Sequence, residues 1–211
     1  MKKLLFCSAI ILSTFSVLAQ GTVVFANRVA GTLVTRVYFG PQTYYGSQTG
    51  NGPADYPVGT TDWTGFTPLE GSGFMAALRA APGSGVPVSN LLFSSDTTTF
   101  RTGAAAGYVN AVTATLPNVS LDAAVATIQM FVWDNSSGNY SSPSAALAAF
   151  QSGTIVGGFS NPFNVQAIGG QFNVPPYLVG LQSFSLVTIP EPSAVALLAL
   201  GCFGMWMRRI R

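Results

Sequence analysis

Between residues 20 and 189 the apolar positions fall in short runs, many alternating with polar ones and each closed by Gly, Pro, Ser, Asn or Asp. A period of two in segments this short predicts strands joined by turns. Residues 22–27 (TVVFAN) and 33–39 (LVTRVYF) are β-branched and aromatic, and with Gly31 between them they predict a first hairpin or adjacent pair. Residues 74–79 (FMAALR) place Phe74, Ala76 and Leu78 on one face. Residues 91–93 and 97–101 predict two short extended pieces either side of Ser94-Ser95-Asp96. In residues 108–116 (YVNAVTATL) the alternation predicts a half-buried strand. Residues 127–133 (TIQMFVW) are apolar on both faces apart from Gln129, the pattern of a central strand.

One helix is predicted. Ser142 is its N-cap, Pro143 its first helical position, residues 145–151 its body, and Gly153 stands just past its end. Residues 154–159, 163–165 and 172–174 predict further extended pieces, and residues 181–187 (LQSFSLV) the last strand. Residues 42–70 are polar, Gly- and Pro-rich and too long for a simple connection. Many short strands, frequent turns and one short helix predict an all-β domain, a jelly-roll-like β-sandwich, with a barrel as the nearest alternative. No repeat of fixed period indicates a solenoid.

The two ends differ from this body. Lys2 and Lys3 precede an apolar stretch from residue 4 to 18, and Val17-Leu18-Ala19 has the spacing of a signal-peptide cleavage site, so Gln20 is the expected first mature residue. A retained signal anchor is the alternative. At the other end, Pro190-Glu191-Pro192 is followed by an uncharged run over residues 194–207 and then by Arg208, Arg209 and Arg211. The triplet cannot continue a strand or helix interior. The run of 14 residues would rise about 21 Å as a helix, short of a hydrocarbon core of about 30 Å. Flanking arginines extend such a span by reaching the headgroups, and they hold their end on the cytoplasmic side.

Pro190-Glu191-Pro192-Ser193, a hydrophobic segment and an arginine cluster, in that order, resemble the PEP-CTERM sorting signal of exported bacterial proteins. The resemblance implies that exosortase, a membrane-embedded cysteine transpeptidase-like enzyme, recognises Pro190, Glu191 and Pro192. The enzyme then removes the tail and passes the protein to the cell surface or exopolysaccharide matrix. Arg208, Arg209 and Arg211 would be the membrane stop. The implied partners are the secretion machinery and exosortase during export, with the inner membrane as a transient host. An uncleaved tail anchor is the alternative. Residues 159–163 (FSNPF), 168–170 (IGG) and 181–186 (LQSFSL) are also similar to stretches of uncharacterised proteins with that signal, which carry no assigned chemistry. The expected division is residues 1–19 as signal peptide, 20–188 as one domain and 189–211 as the sorting segment.

Charge confirms how much belongs to the ends. The whole chain carries +2, but residues 20–189 hold four arginines against six acids, a balance of −2. No basic surface for nucleic acid is expected in the body. Cys7 and Cys202 both lie in the end segments, so the body must be held by its core rather than by disulfides. The chain has no histidine, and residues 20–189 have no cysteine or lysine, which excludes Ser-His-Asp, Cys-His, thiolate-zinc and Schiff-base chemistry there.

Carboxylate chemistry survives, and a glycosidase pair could be drawn from Asp55, Asp62, Glu70, Asp96, Asp122 and Asp134. All six stand in or beside turn-forming sequence, where aspartate serves its own backbone. Asp134, opening Asp-Asn-Ser-Ser-Gly-Asn, is the one candidate calcium ligand, against the reading of a plain turn. Tyr44, Tyr45, Tyr56 and Trp63 in the long loop are candidate sugar-stacking residues, unless they fold back to cap the sandwich. The expected protein is a non-enzymatic surface or matrix component without a cofactor. Its alternative is a carbohydrate-binding module, with exopolysaccharide as the candidate ligand, or a carboxylate glycosidase.

Overall fold

The computed structural model describes residues 20–41 and 46–189. The strands are β1 (Gln20–Phe25), β2 (Arg28–Val29), β3 (Leu33–Val34), β4 (Val37–Phe39), β5 (Thr67–Pro68), β6 (Phe74–Pro82), β7 (Leu92–Thr99), β8 (Val112–Ser120), β9 (Val125–Asp134), β10 (Gly157–Phe159), β11 (Phe163–Gln166) and β12 (Phe184–Leu186). A single α-helix, α1 (Pro143–Gln151), lies between β9 and β10 among the described residues. The body is therefore mostly strand with one short helix. Residues 1–19 and 190–211, with Pro190, Glu191, Pro192, Arg208, Arg209 and Arg211, lie outside the described residues.

The largest sheet runs β10-β9-β6-β7, with β11 also paired to β9. Its centre is β9, whose residues 126–133 are all buried, as expected for a strand apolar on both faces. The two polar residues of that buried stretch have partners. Thr127 Oγ1 contacts the Gly83 carbonyl at 2.8 Å and accepts from Val86 N at 3.0 Å, and Gln129 Nε2 donates to the Ser160 carbonyl at 2.6 Å. The two faces of the β6–β9 pair serve different clusters. Ala76, Leu78, Ile128, Met130 and Val132 join the main core, with Val23 and Phe25 of β1, Leu116 of β8, and Phe184 and Leu186 of β12. Ala77, Phe131 and Trp133 point the other way, against Ala146 and Phe150 of α1. The helix begins as predicted: Ser142 Oγ accepts from Ala145 N, Pro143 follows, and Gly153 takes φ +78° at its end.

Several pairings differ from the expectation. β1 pairs antiparallel with β8, not with the segment after Gly31, and the only local pair there is the short β2–β3. The predicted strand at 33–39 is split into β3 and β4. Ser94-Ser95-Asp96 does not interrupt a strand but lies within β7, where a register shift opposite Ala77–Arg79 absorbs it. Residues 172–174 form no strand, and Phe172 and Val174 are exposed. β12 pairs in parallel with β4, a departure from the wholly antiparallel jelly-roll pattern.

Candidate functional site

The long loop is tied to the last strand. Asp55 is buried, and its Oδ2 accepts from Gly52 N and from the Ser183 hydroxyl, each at 2.8 Å. Ser183 Oγ in turn accepts from Arg36 N at 2.7 Å, and the Arg36 guanidinium lies 3.9 Å from Asp55 Oδ1. Ser185 Oγ accepts from Gln48 N, and Asn51 Oδ1 from Ser183 N. Ser183 and Ser185 thus face inward and hold neighbouring backbone, which leaves both faces buried over residues 183–186. Arg36 also sits over the Tyr108 ring at 4.7 Å, with Arg28 at 5.1 Å. Burial pushes the Tyr108 phenol up, against the pull of the two arginines; burial does the same to Tyr38, reinforced by Asp55.

The predicted aromatic set is divided. Trp63 stacks on Tyr38 at 4.3 Å and meets Phe66 edge-on at 5.1 Å, while its Nε1 donates to the Gly50 carbonyl at 3.2 Å. It is half-buried and folded back onto the body, as the capping alternative has it. Tyr56 bridges to Val34 through its backbone and is 47% exposed as a residue. Tyr44 and Tyr45 lie outside the described residues.

Each carboxylate of the body accepts hydrogen bonds from its own scaffold. Asp62 Oδ1 takes the hydroxyl and amide of Thr64, which lower its pKa in that order. Glu70 accepts from Gly103 N, and Asp96 Oδ2 from Thr115 N at 2.7 Å, joining β7 to β8. Asp134 Oδ1 accepts from Ser136 N at 2.8 Å and closes an Asx turn, while the neighbouring Asn135 Oδ1 is taken by Tyr140 N. No group of three or more His, Cys, Asp or Glu side chains is placed to hold a metal ion among the described residues.

One feature was not foreseen from the sequence. Asp122, in the left-handed region at φ +55°, accepts from the amides of Gln171, Phe172 and Asn173 at 2.9, 3.0 and 2.7 Å. Its pKa is lowered, chiefly by the Asn173 amide. Gly170 packs against it so closely that a Cβ there would lie 2.5 Å from Asp122 N. The clasp holds out Phe172 and Val174, 83% and 82% exposed. Beside it, Tyr177, Val179, Pro176, Asn164 and Gln166 line an uncharged cleft of about 280 Å³. The legible signal was the Gly169-Gly170 pair, which marks a close backbone approach.

At the other end of β9 the chain leaves the fold. Val187 exchanges backbone hydrogen bonds with Gly157 at 2.7 and 3.2 Å, and Ile189 packs against the cluster of Phe131, Trp133 and Phe150. The segment that follows carries the C-terminal address of an exported protein. Residues 188–211 match the PEP-CTERM protein-sorting motif, so the resemblance of the C-terminal segment holds, and exosortase processing with transient membrane association follows from it. Comparison with curated proteins gives no match, and comparison with solved structures gives none. Among the described residues no helix is long and apolar enough to cross a membrane, and residues 194–207 are not among them.

Proposed function

We propose that this protein is a non-enzymatic component of the cell surface or extracellular matrix. Its body, residues 20–188, is a rigid β-sandwich delivered through the Pro190-Glu191-Pro192 signal after removal of residues 1–19. The observation that carries the proposal is the position of the sorting motif. It begins at residue 188, directly after the last strand of a body whose six carboxylates all accept hydrogen bonds from the scaffold. Each carboxylate thus fastens a turn or a strand of its own fold, which supports a structural role. Replacing Pro190, Glu191 and Pro192 together with Ala tests the delivery. The variant is expected to remain in the membrane fraction and to vanish from the matrix fraction; unchanged release would contradict the reading.

The second reading is neutral-glycan binding. The uncharged cleft at Tyr177, with the planar amides of Asn164 and Gln166 at its wall, has the chemistry that stacks and hydrogen-bonds sugar rings. Titration with the exopolysaccharide of the producing cells, with Tyr177→Ala as control, tests it. Binding by the parent protein that is lost in the variant would favour this reading.

A further inference from the structure

The fold ends very near the membrane segment. Val187 is still in the backbone ladder with Gly157, and Ile189 still packs on the aromatic cluster. The apolar run begins at Ala194. Five Cα steps from Ile189 to Ala194 reach at most about 17 Å even at full extension. The headgroup layer occupies about 5–8 Å of that distance.

We infer that, before the tail is removed, the body rests on the phospholipid headgroups through the face around Asp134–Tyr140 and Thr154–Val156, with the Asp122-clasped tip outermost. The face is defined by position. Thr154, Ile155 and Val156 line one cleft with Asp134, Ser136, Ser137, Asn139 and Tyr140, and Val156 O accepts from Asp134 N beside the Gly157–Val187 bridge. Hydroxyls and amides dominate it, which suits a hydrated headgroup layer. The tip is remote: β9 runs from Val125 beside Asp122 to Asp134 beside this face, nine steps of about 3.3 Å, or roughly 30 Å. The body is net negative, and three of its four arginines, Arg28, Arg36 and Arg79, are engaged with Tyr108, Phe159 and Gln129, which leaves Arg101 exposed. The inference rests on the reading of residues 194–207 as the membrane segment.

The test uses the chain as exported, residues 20–211 with Cys202→Ala, reconstituted into phosphatidylethanolamine–phosphatidylglycerol vesicles without the processing enzyme. A fluorophore is placed at Ser137→Cys or at Gln171→Cys, with a quencher on the lipid headgroups. The Ser137 probe is expected to be quenched several-fold more than the Gln171 probe. A Gly-Ser insertion of twelve residues after Ile189, about 20 Å in root-mean-square length, should reduce that contrast. Equal or reversed quenching in a chain that floats with the vesicles overturns the inference alone. Contrast that arises only when exosortase is added also overturns it, and assigns the face to the enzyme. A chain that does not float overturns the inference together with the membrane-segment reading.

Discussion

The Asp55 carboxylate and the Ser183 hydroxyl, 128 residues apart in the chain, meet at 2.8 Å inside the protein. That contact fastens the long loop to the strand that leads out to the sorting motif. Ser183 is fully buried and also accepts from Arg36 N, so Ser183→Ala strands the Arg36 amide and leaves Asp55 Oδ2 with the Gly52 amide alone. The expected cost is about 2 kcal/mol, a fall in Tm of roughly 6 °C for a domain of this size. Urea unfolding followed by tryptophan emission measures it. Asp55→Ala should cost more, about 3 kcal/mol, because it also removes the partner of the Arg36 guanidinium.

Gly158 tests how β10 meets β12. A Cβ there would lie 2.7 Å from the Ser185 carbonyl oxygen and 3.1 Å from Leu186 Cα, and backbone cannot move aside as a side chain can. Gly158→Ala is expected to destabilise by about 1–3 kcal/mol. Gly73→Ala, where the nearest atom is at 3.6 Å, is the control and should change stability by less than about 0.5 kcal/mol.

Asp122 gives the tip a pH dependence. Its folded-state pKa is lowered, so its contribution is complete above the ordinary aspartate range and is lost as pH falls through the folded value. The amides of Gln171, Phe172 and Asn173 should shift together below that range in an NMR titration. Asp122→Asn keeps the tolerance for positive φ but should abolish the shared titration.

The tryptophans should separate in quenching. Trp133 is fully buried and donates to the Tyr140 carbonyl, whereas Trp63 is half-exposed above Tyr38. With Trp206→Phe as background, acrylamide should quench one component, and Trp63→Phe should remove that component while leaving the protected one.

What the sequence shows best is local. Residues 127–133 carry apolar side chains on both faces, and Ser142-Pro143 with Gly153 writes both ends of α1. Pairing partners are not local, and β1 finds β8 across almost ninety residues (Val24 with Thr113), which no turn signal near Gly31 encodes. Ser94-Ser95-Asp96 looks like a turn, yet Asp96 is used across strands by Thr115 N. Residues 172–174 have the side chains of a strand, but Asp122 satisfies the amides that a ladder would have needed. Trp63 shows how a loop aromatic that suggests a ligand platform can serve the fold. The sorting segment was legible because its order of triplet, apolar run and arginines needs no tertiary context.

The most direct measurement is the intact mass of the protein recovered from cells with and without exosortase, together with its fraction. The account predicts a mass ending near Pro190–Pro192 in the extracellular matrix or surface fraction when the enzyme is present, and the uncut chain in the membrane when it is absent. A mass that retains Arg211, with the protein in the inner membrane in both strains, would contradict it.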